Sequence, residues 1–88
     1  VPSGGTTQPG PLSVAVAEIL RREFNRSDFV SQKALGAAVG ISQSQMSKHL
    51  RGERVLDVDQ LDALCDALNL QIVDVVRSAQ AAARRRRR

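Results

Sequence analysis

The 88-residue chain has no tryptophan, no tyrosine, one cysteine and one histidine. Cys65 cannot form an intramolecular disulfide, which fits a reducing, cytoplasmic setting. One histidine and one cysteine do not make a metal-ligand set. No histidine–nucleophile pair and no phosphate loop is visible either, so the expectation is a binding protein with no enzyme activity, metal, cofactor or small-molecule substrate. No apolar run approaches the roughly 20 residues of a membrane span, and no signal peptide is visible. Phe24 and Phe29 are the only aromatic residues, so the core must be aliphatic. A core this small should confer a stability of about 5 kcal/mol.

Charge is present but unevenly placed. The formal net charge is +4, and five of the positives are Arg84 to Arg88. Without them, eight Lys/Arg face nine Asp/Glu. Lys33, Lys48, Arg51 and Arg54 meet only Glu53 in their part of the chain, whereas Asp57 to Asp74 contains five acids and no base. A basic centre beside an acidic flank suggests one face for an anionic partner.

Residues 1–10, "VPSGGTTQPG", lack charge and periodicity and read as a flexible arm. Pro11 can open a first helix, where its missing N–H costs nothing. Val16, Ile19, Leu20 and Phe24 then form a stripe at helical spacing, ended by "NRSD". Three further helix starts follow one pattern. Ser31 can cap, with Val30 stapled to Leu35. Ser42 can cap, with Gln45 completing a capping box and Ile41 stapled to Met46. Asp57 can cap, with Gln60 completing the box and Leu56 stapled to Leu61. Each cap contributes about 1 kcal/mol, so caps locate helices more than they stabilise the fold.

Gly40 and Gly52 sit where two of these helices should stop. Val58, Leu61, Leu64, Cys65 and Leu68 form the stripe of the fourth helix, and Ile72, Val73, Val75, Val76 and Ala79 populate a fifth. No strand-like alternation appears. The fold class is all-α, five short helices, with a helix-turn-helix domain over residues 11–80 and a basic tail over 81–88. The second and third helices are separated by only a few residues around Gly40, and Gly36 and Ala37 are small enough to let the third helix pack closely. With Met46 and Leu50 inward, Ser44 and Lys48 lie opposite, flanked by Gln45 and Ser47, with Gln43 at the tip.

The stretch from Ser31 to Val75 resembles the DNA-binding domain of lambda-type phage repressors, the Cro/repressor or XRE-like helix-turn-helix family. Gln32, Leu35, Val39-Gly40-Ile41, Ser42, Met46 and Arg51-Gly52 carry the resemblance, which covers about residues 30–76. Two positions depart. Gly36 stands where the family usually has alanine, which would loosen the second helix by up to about 1 kcal/mol. His49 stands where an apolar or aromatic residue is common.

The resemblance implies a five-helix lambda-repressor-like domain whose third helix enters the major groove. Residue chemistry agrees. Glutamine donates and accepts at once and so matches adenine, while serine serves any base edge at short range. The expected base readers are Gln43, Ser44, Gln45 and Ser47, although a capping box and a base contact would compete for the amide of Gln45. By resemblance, Gln32 braces Gln43 and touches a phosphate. Lys33, Lys48, Arg51 and Arg54 are expected to hold phosphates and set register. His49 reads as a packing residue and Cys65 as core filler. The acids of the fourth helix read as a solvated face turned from DNA.

The expected function is sequence-specific regulation of transcription, as a phage immunity-type repressor that occludes a promoter in the cytoplasm of a bacterial host, close to the nucleoid. One alternative is the antitoxin of a toxin–antitoxin pair repressing its own operon. Another is a helical adaptor that binds protein or RNA through the arginine tail. Double-stranded DNA is the expected partner, with no membrane involved. A homodimer on DNA is suggested by the family's paired half-sites, with Val75 and Ala79 facing a second copy if Ile72 and Val76 pack inward; a monomer stays open. The tail could extend the fifth helix, be disordered, or mark the cut point of a longer chain. In each case its arginines should steepen the salt dependence of DNA binding.

Overall fold

The computed structural model describes residues 8–86. Five helices follow in order: α1 (Pro11–Arg26), α2 (Gln32–Val39), α3 (Gln43–Leu50), α4 (Val58–Ala67) and α5 (Ile72–Arg86). No strand occurs among the described residues. No helix among them is long and apolar enough to cross a membrane. Residues 1–7 of the expected arm lie outside the described residues, as do Arg87 and Arg88.

Local chemistry explains most of the boundaries. Pro11 opens α1, and Ser27 closes it by donating both its N–H and its hydroxyl to the Phe24 carbonyl, at 3.0 and 2.6 Å. The Ser31 hydroxyl accepts from the Ala34 N–H at 3.0 Å and starts α2. The Ser42 hydroxyl accepts from the Gln45 N–H at 3.2 Å and starts α3. At α4 the full box forms. Asp57 accepts from the Gln60 N–H at 2.6 Å, and the Gln60 side chain accepts from the Asp57 N–H at 3.0 Å. Gly40 ends α2 with φ of 74°, a left-handed conformation that glycine adopts without strain. Asn69, unremarked in the sequence reading, takes φ of 61° after α4, and the Leu70 N–H then donates to the Cys65 carbonyl at 2.7 Å.

The core gathers Leu20, Leu35, Met46, Leu50, Leu64 and Cys65, all essentially buried. Around it α1 packs along α5 and against α3, α2 packs on α3 and α4, and α4 closes on α5. α3 is thus held from behind by α1 and α2, leaving its other side free.

Several expectations need correction. Val30 is 92% exposed, so it does not staple to Leu35; its neighbour Phe29 packs on the core instead. Val58 is 76% exposed, because it occupies the first helical position of α4 and points away from the stripe. The box at Ser42 is half formed. The Gln45 side chain does not return to the Ser42 N–H, and its Oε1 is buried without a hydrogen-bond partner among the described residues. On α5 the inward residues are Val75, Ala79 and Ala83, so Val75 and Ala79 are not available to a second copy. Ala37 is exposed, and Gly36 alone of that pair meets α3's approach. Residues 81–86 continue α5 as regular helix.

Candidate nucleic-acid interface

The turn between α2 and α3 is three residues long, and each has a separate task. Gly40 turns the chain. Ile41 is 8% exposed and enters the core, while its N–H donates to the Gly36 carbonyl at 2.9 Å. Ser42 caps α3. Met46, His49 and Leu50 then bury one side of α3, at spacings of three and four residues. The helix is short, so its orientation comes from these anchors rather than from intrinsic helix propensity.

Each predicted site residue can now be placed. Gln43 and Ser44 are exposed at the start of α3. Gln45 is half-buried, with its orphaned oxygen turned inward. Ser47 is half-buried, and its hydroxyl accepts a close hydrogen bond from Arg51. Gln32 is half-buried at the first position of α2 and shares no hydrogen bond with Gln43 among the described residues. Lys33 and Arg54 are exposed and Lys48 is half-buried; none of the three has an ion-pair partner among the described residues.

Arg51 differs. Its guanidinium donates to Glu53 at 2.7 and 3.2 Å. That hydrogen-bonded contact raises the Arg51 pKa and holds the Glu53 carboxyl below its usual range; the charge of Lys48 lowers Glu53 further. Arg51 is therefore poised beside α3 but already committed to a carboxylate.

Two other side chains set this edge. His49 is 3% exposed, and its Nδ1 lies 3.2 Å from the Arg54 carbonyl oxygen. A carbonyl can only accept, so Nδ1 carries the proton and donates. The ring ties the segment after α3 back onto α3, in agreement with a packing role. Arg21 of α1 donates to the Leu50 carbonyl at 3.4 Å, at the C-terminal end of α3. Sequence reasoning missed Arg21. It lies off the apolar stripe of α1, and nothing in its own neighbourhood links it to Leu50.

A polar cleft of about 390 Å³ lies behind the start of α3, between Ser42, Gln45 and His49 on one side and Asp57 and Gln60 on the other. Asp57 Oδ1 and Gln60 Oε1 are engaged in the α4 cap. The opposite side of α3 presents the exposed amide of Gln43 and hydroxyl of Ser44, beside the half-buried Lys48. Such a set can match the donor and acceptor pattern of base edges beside phosphates.

Comparison with known proteins agrees with this architecture. Two crystal structures of the clp gene regulator ClgR share the fold. One, from Corynebacterium glutamicum, superposes with a TM-score of 0.76 at 23% identity, covering 89% of this chain and 82% of that one. The other, from C. glutamicum, gives a TM-score of 0.73 at 24% identity, covering 90% and 99%. No curated protein matches the chain. Residues 19–77, from within α1 to within α5, match the model of the Cro/C1-type HTH DNA-binding domain. The protein therefore belongs to the Cro/C1-type helix-turn-helix DNA-binding family.

Proposed function

We propose that this protein is a sequence-specific transcriptional repressor of phage type that places α3 in the major groove and occludes a promoter, working in the cytoplasm without catalysis. The observation that carries the reading is the division of α3. Met46, His49 and Leu50 are buried, while Gln43 and Ser44 at its leading end are exposed and uncommitted among the described residues. Family membership supports DNA as the partner. The likeness to a regulator of clp genes supports control of transcription.

Gln43 and Ser44 are the principal base readers in this reading. Ser47 and Gln45 have smaller parts, because one is bound to Arg51 and the other turns its oxygen inward. Gln32, Lys33, Lys48 and Arg54 hold phosphates, and Arg51 joins them on leaving Glu53. The protein binds as a homodimer on two half-sites. Exposed Val73 and Leu12, with the shallow cleft between Ile72, Val76 and Arg77 on α5, support a pairing surface there.

Selection of bound sequences from random duplex DNA at a stated salt concentration tests the reading. A palindromic consensus with half-sites about one helical turn apart is the expected result. Recovery of no preferred sequence would overturn it.

A further inference from the structure

Three hydrogen bonds fold the chain back onto α3 where that helix ends. The Gly52 N–H donates to the His49 carbonyl at 3.1 Å, and the Glu53 N–H donates to the Lys48 carbonyl at 3.0 Å. Both are local backbone bonds of the kind that close a helix. The third differs in kind. The Arg54 carbonyl accepts from a side chain, the Nδ1–H of His49, at 3.2 Å. No other hydrogen bond holds the Arg54 backbone among the described residues.

Packing does little for this point of the chain. His49 and Arg54 together border both the polar cleft of about 390 Å³ and a second, mainly apolar hollow of about 140 Å³. Leu12 and Val16 of α1, with Leu56, Leu61 and Val76, wall the second one. Open space there leaves few atoms to press the Arg54 backbone into place. Its neighbours are better fixed. An added Cβ on Gly52 would just touch Val14 and Ala17 of α1, and Asp57 is engaged in the α4 cap. His49 itself is 3% exposed, on the side of α3 that Met46 and Leu50 bury. A buried polar ring is costly unless its polar atoms are bonded, and the bond this one makes is to Arg54. The Arg54 side chain, in contrast, is exposed and has no ion-pair partner among the described residues.

We infer that His49 is a positioning residue for DNA binding: its Nδ1–H anchors the Arg54 carbonyl and so presents the Arg54 guanidinium to a phosphate beside α3. The inference rests on the reading of Arg54 as a phosphate contact. An arginine on a loose segment loses backbone as well as side-chain freedom on engaging a phosphate. One on an anchored backbone loses only the side-chain part. Packing alone accounts for the burial of the ring but gives its donor no part in binding.

The test follows binding of the full chain to random-sequence duplex DNA by fluorescence anisotropy, with urea unfolding as the readout of packing. His49→Phe keeps a ring and removes the donor. His49→Asn keeps a donor close to the Nδ1 position and removes the ring. His49→Phe should weaken binding about fivefold, the freedom of roughly one backbone residue. In an Arg54→Gln background the same change should have no further effect, because both act through one contact. His49→Asn should bind more tightly than His49→Phe, whichever of the two is the more stable in urea. In wild type, the imidazole ¹⁵N–¹H spectrum should place the ring proton on Nδ1, a result that needs no variant to fold. Equal losses from His49→Phe in both backgrounds, tighter binding by His49→Phe than by His49→Asn, or a ring proton on Nε2 would overturn the positioning role. Arg54→Gln alone separates this from the reading beneath it. That variant should lower the slope of log affinity against log salt by about one. An unchanged slope would overturn Arg54 as a phosphate contact, and the inference with it. The expected fall, joined to any of the contrary results for His49, would overturn the inference alone.

Discussion

The Ile41 N–H donates to the Gly36 carbonyl at 2.9 Å, and the Ile41 carbonyl lies so close above Gly36 that an added Cβ would fall well inside 3.0 Å of its oxygen. One residue in α2 thereby sets how tightly the turn folds back and where α3 begins. The obstacle is backbone, which cannot rotate away as a side chain can.

Gly36→Ala should therefore destabilise the protein. Alanine is the better helix former by about 1 kcal/mol, and that gain acts in the opposite direction. Steric displacement of a packed backbone costs about 1–3 kcal/mol or more, and it should win. Urea denaturation decides the sign. A variant more stable than wild type would show that the turn relaxes without cost.

Gln43→Ala should weaken binding to the selected operator by about 1–3 kcal/mol and relax preference at one base position. Its salt slope should stay that of wild type, since no charge is removed. Competition with operators altered one base pair at a time reads the preference. Full retention of affinity and preference would remove Gln43 from the base readers.

Replacing Arg51 should weaken all sequences alike and lower the salt slope by about one. Glu53→Gln should do the reverse, strengthening binding to every sequence roughly threefold, because it frees Arg51 and removes a negative charge. The pH dependence has a definite sign. Arg51 holds Glu53 below its usual value in the free protein, whereas DNA phosphates would push it up. Binding then takes up a proton, and wild-type affinity should rise as pH falls from neutrality toward 4.5, more than in Glu53→Gln. For folding, the lowered carboxyl contributes stability above its unfolded value and loses it as pH falls through the folded one. The pair is at the surface, so this contribution is small. Titrations of both proteins against one duplex across pH would show the difference. Parallel curves would place Arg51 away from phosphate.

Cys65 is 1% exposed, and burial pushes its thiol up, with Asp62 adding to the shift. A raised folded value stabilises the fold below the unfolded value and is lost as pH rises through the folded one. As pH rises above the ordinary thiol value of about 8.5, wild type should lose more stability than Cys65→Ala. Maleimide labelling at neutral pH should follow the rate of global opening. Rapid labelling of the folded protein would contradict core placement.

Much of the fold was legible because its signals are local. Ser31, Ser42 and Asp57 cap through an N–H three residues away, and Gly40 needs only its own backbone freedom. The helix-turn-helix and the outward position of Gln43 and Ser44 follow from those marks together with Met46 and Leu50. Where sequence reasoning failed, the deciding partner was remote. The stripe of Ile72, Val73, Val75, Val76 and Ala79 spans too wide an arc to fix the rotation of α5, and contact with α1 chose Val75, Ala79 and Ala83. The fit of Phe29 into the core left Val30 outside.

The candidate site divides in the same way. Which residues stand on α3, and that Gln43 and Ser44 are exposed at its start, followed from the sequence alone, because helical periodicity and capping act within a few residues; the half-burial of Gln45, Ser47 and Lys48 did not. Tertiary structure decided what else reaches them. Arg21 meets Leu50 across 29 residues, and Arg86 meets Glu18 across 68. No local pattern encodes such pairs; they exist because α1 packs at once on α3 and α5.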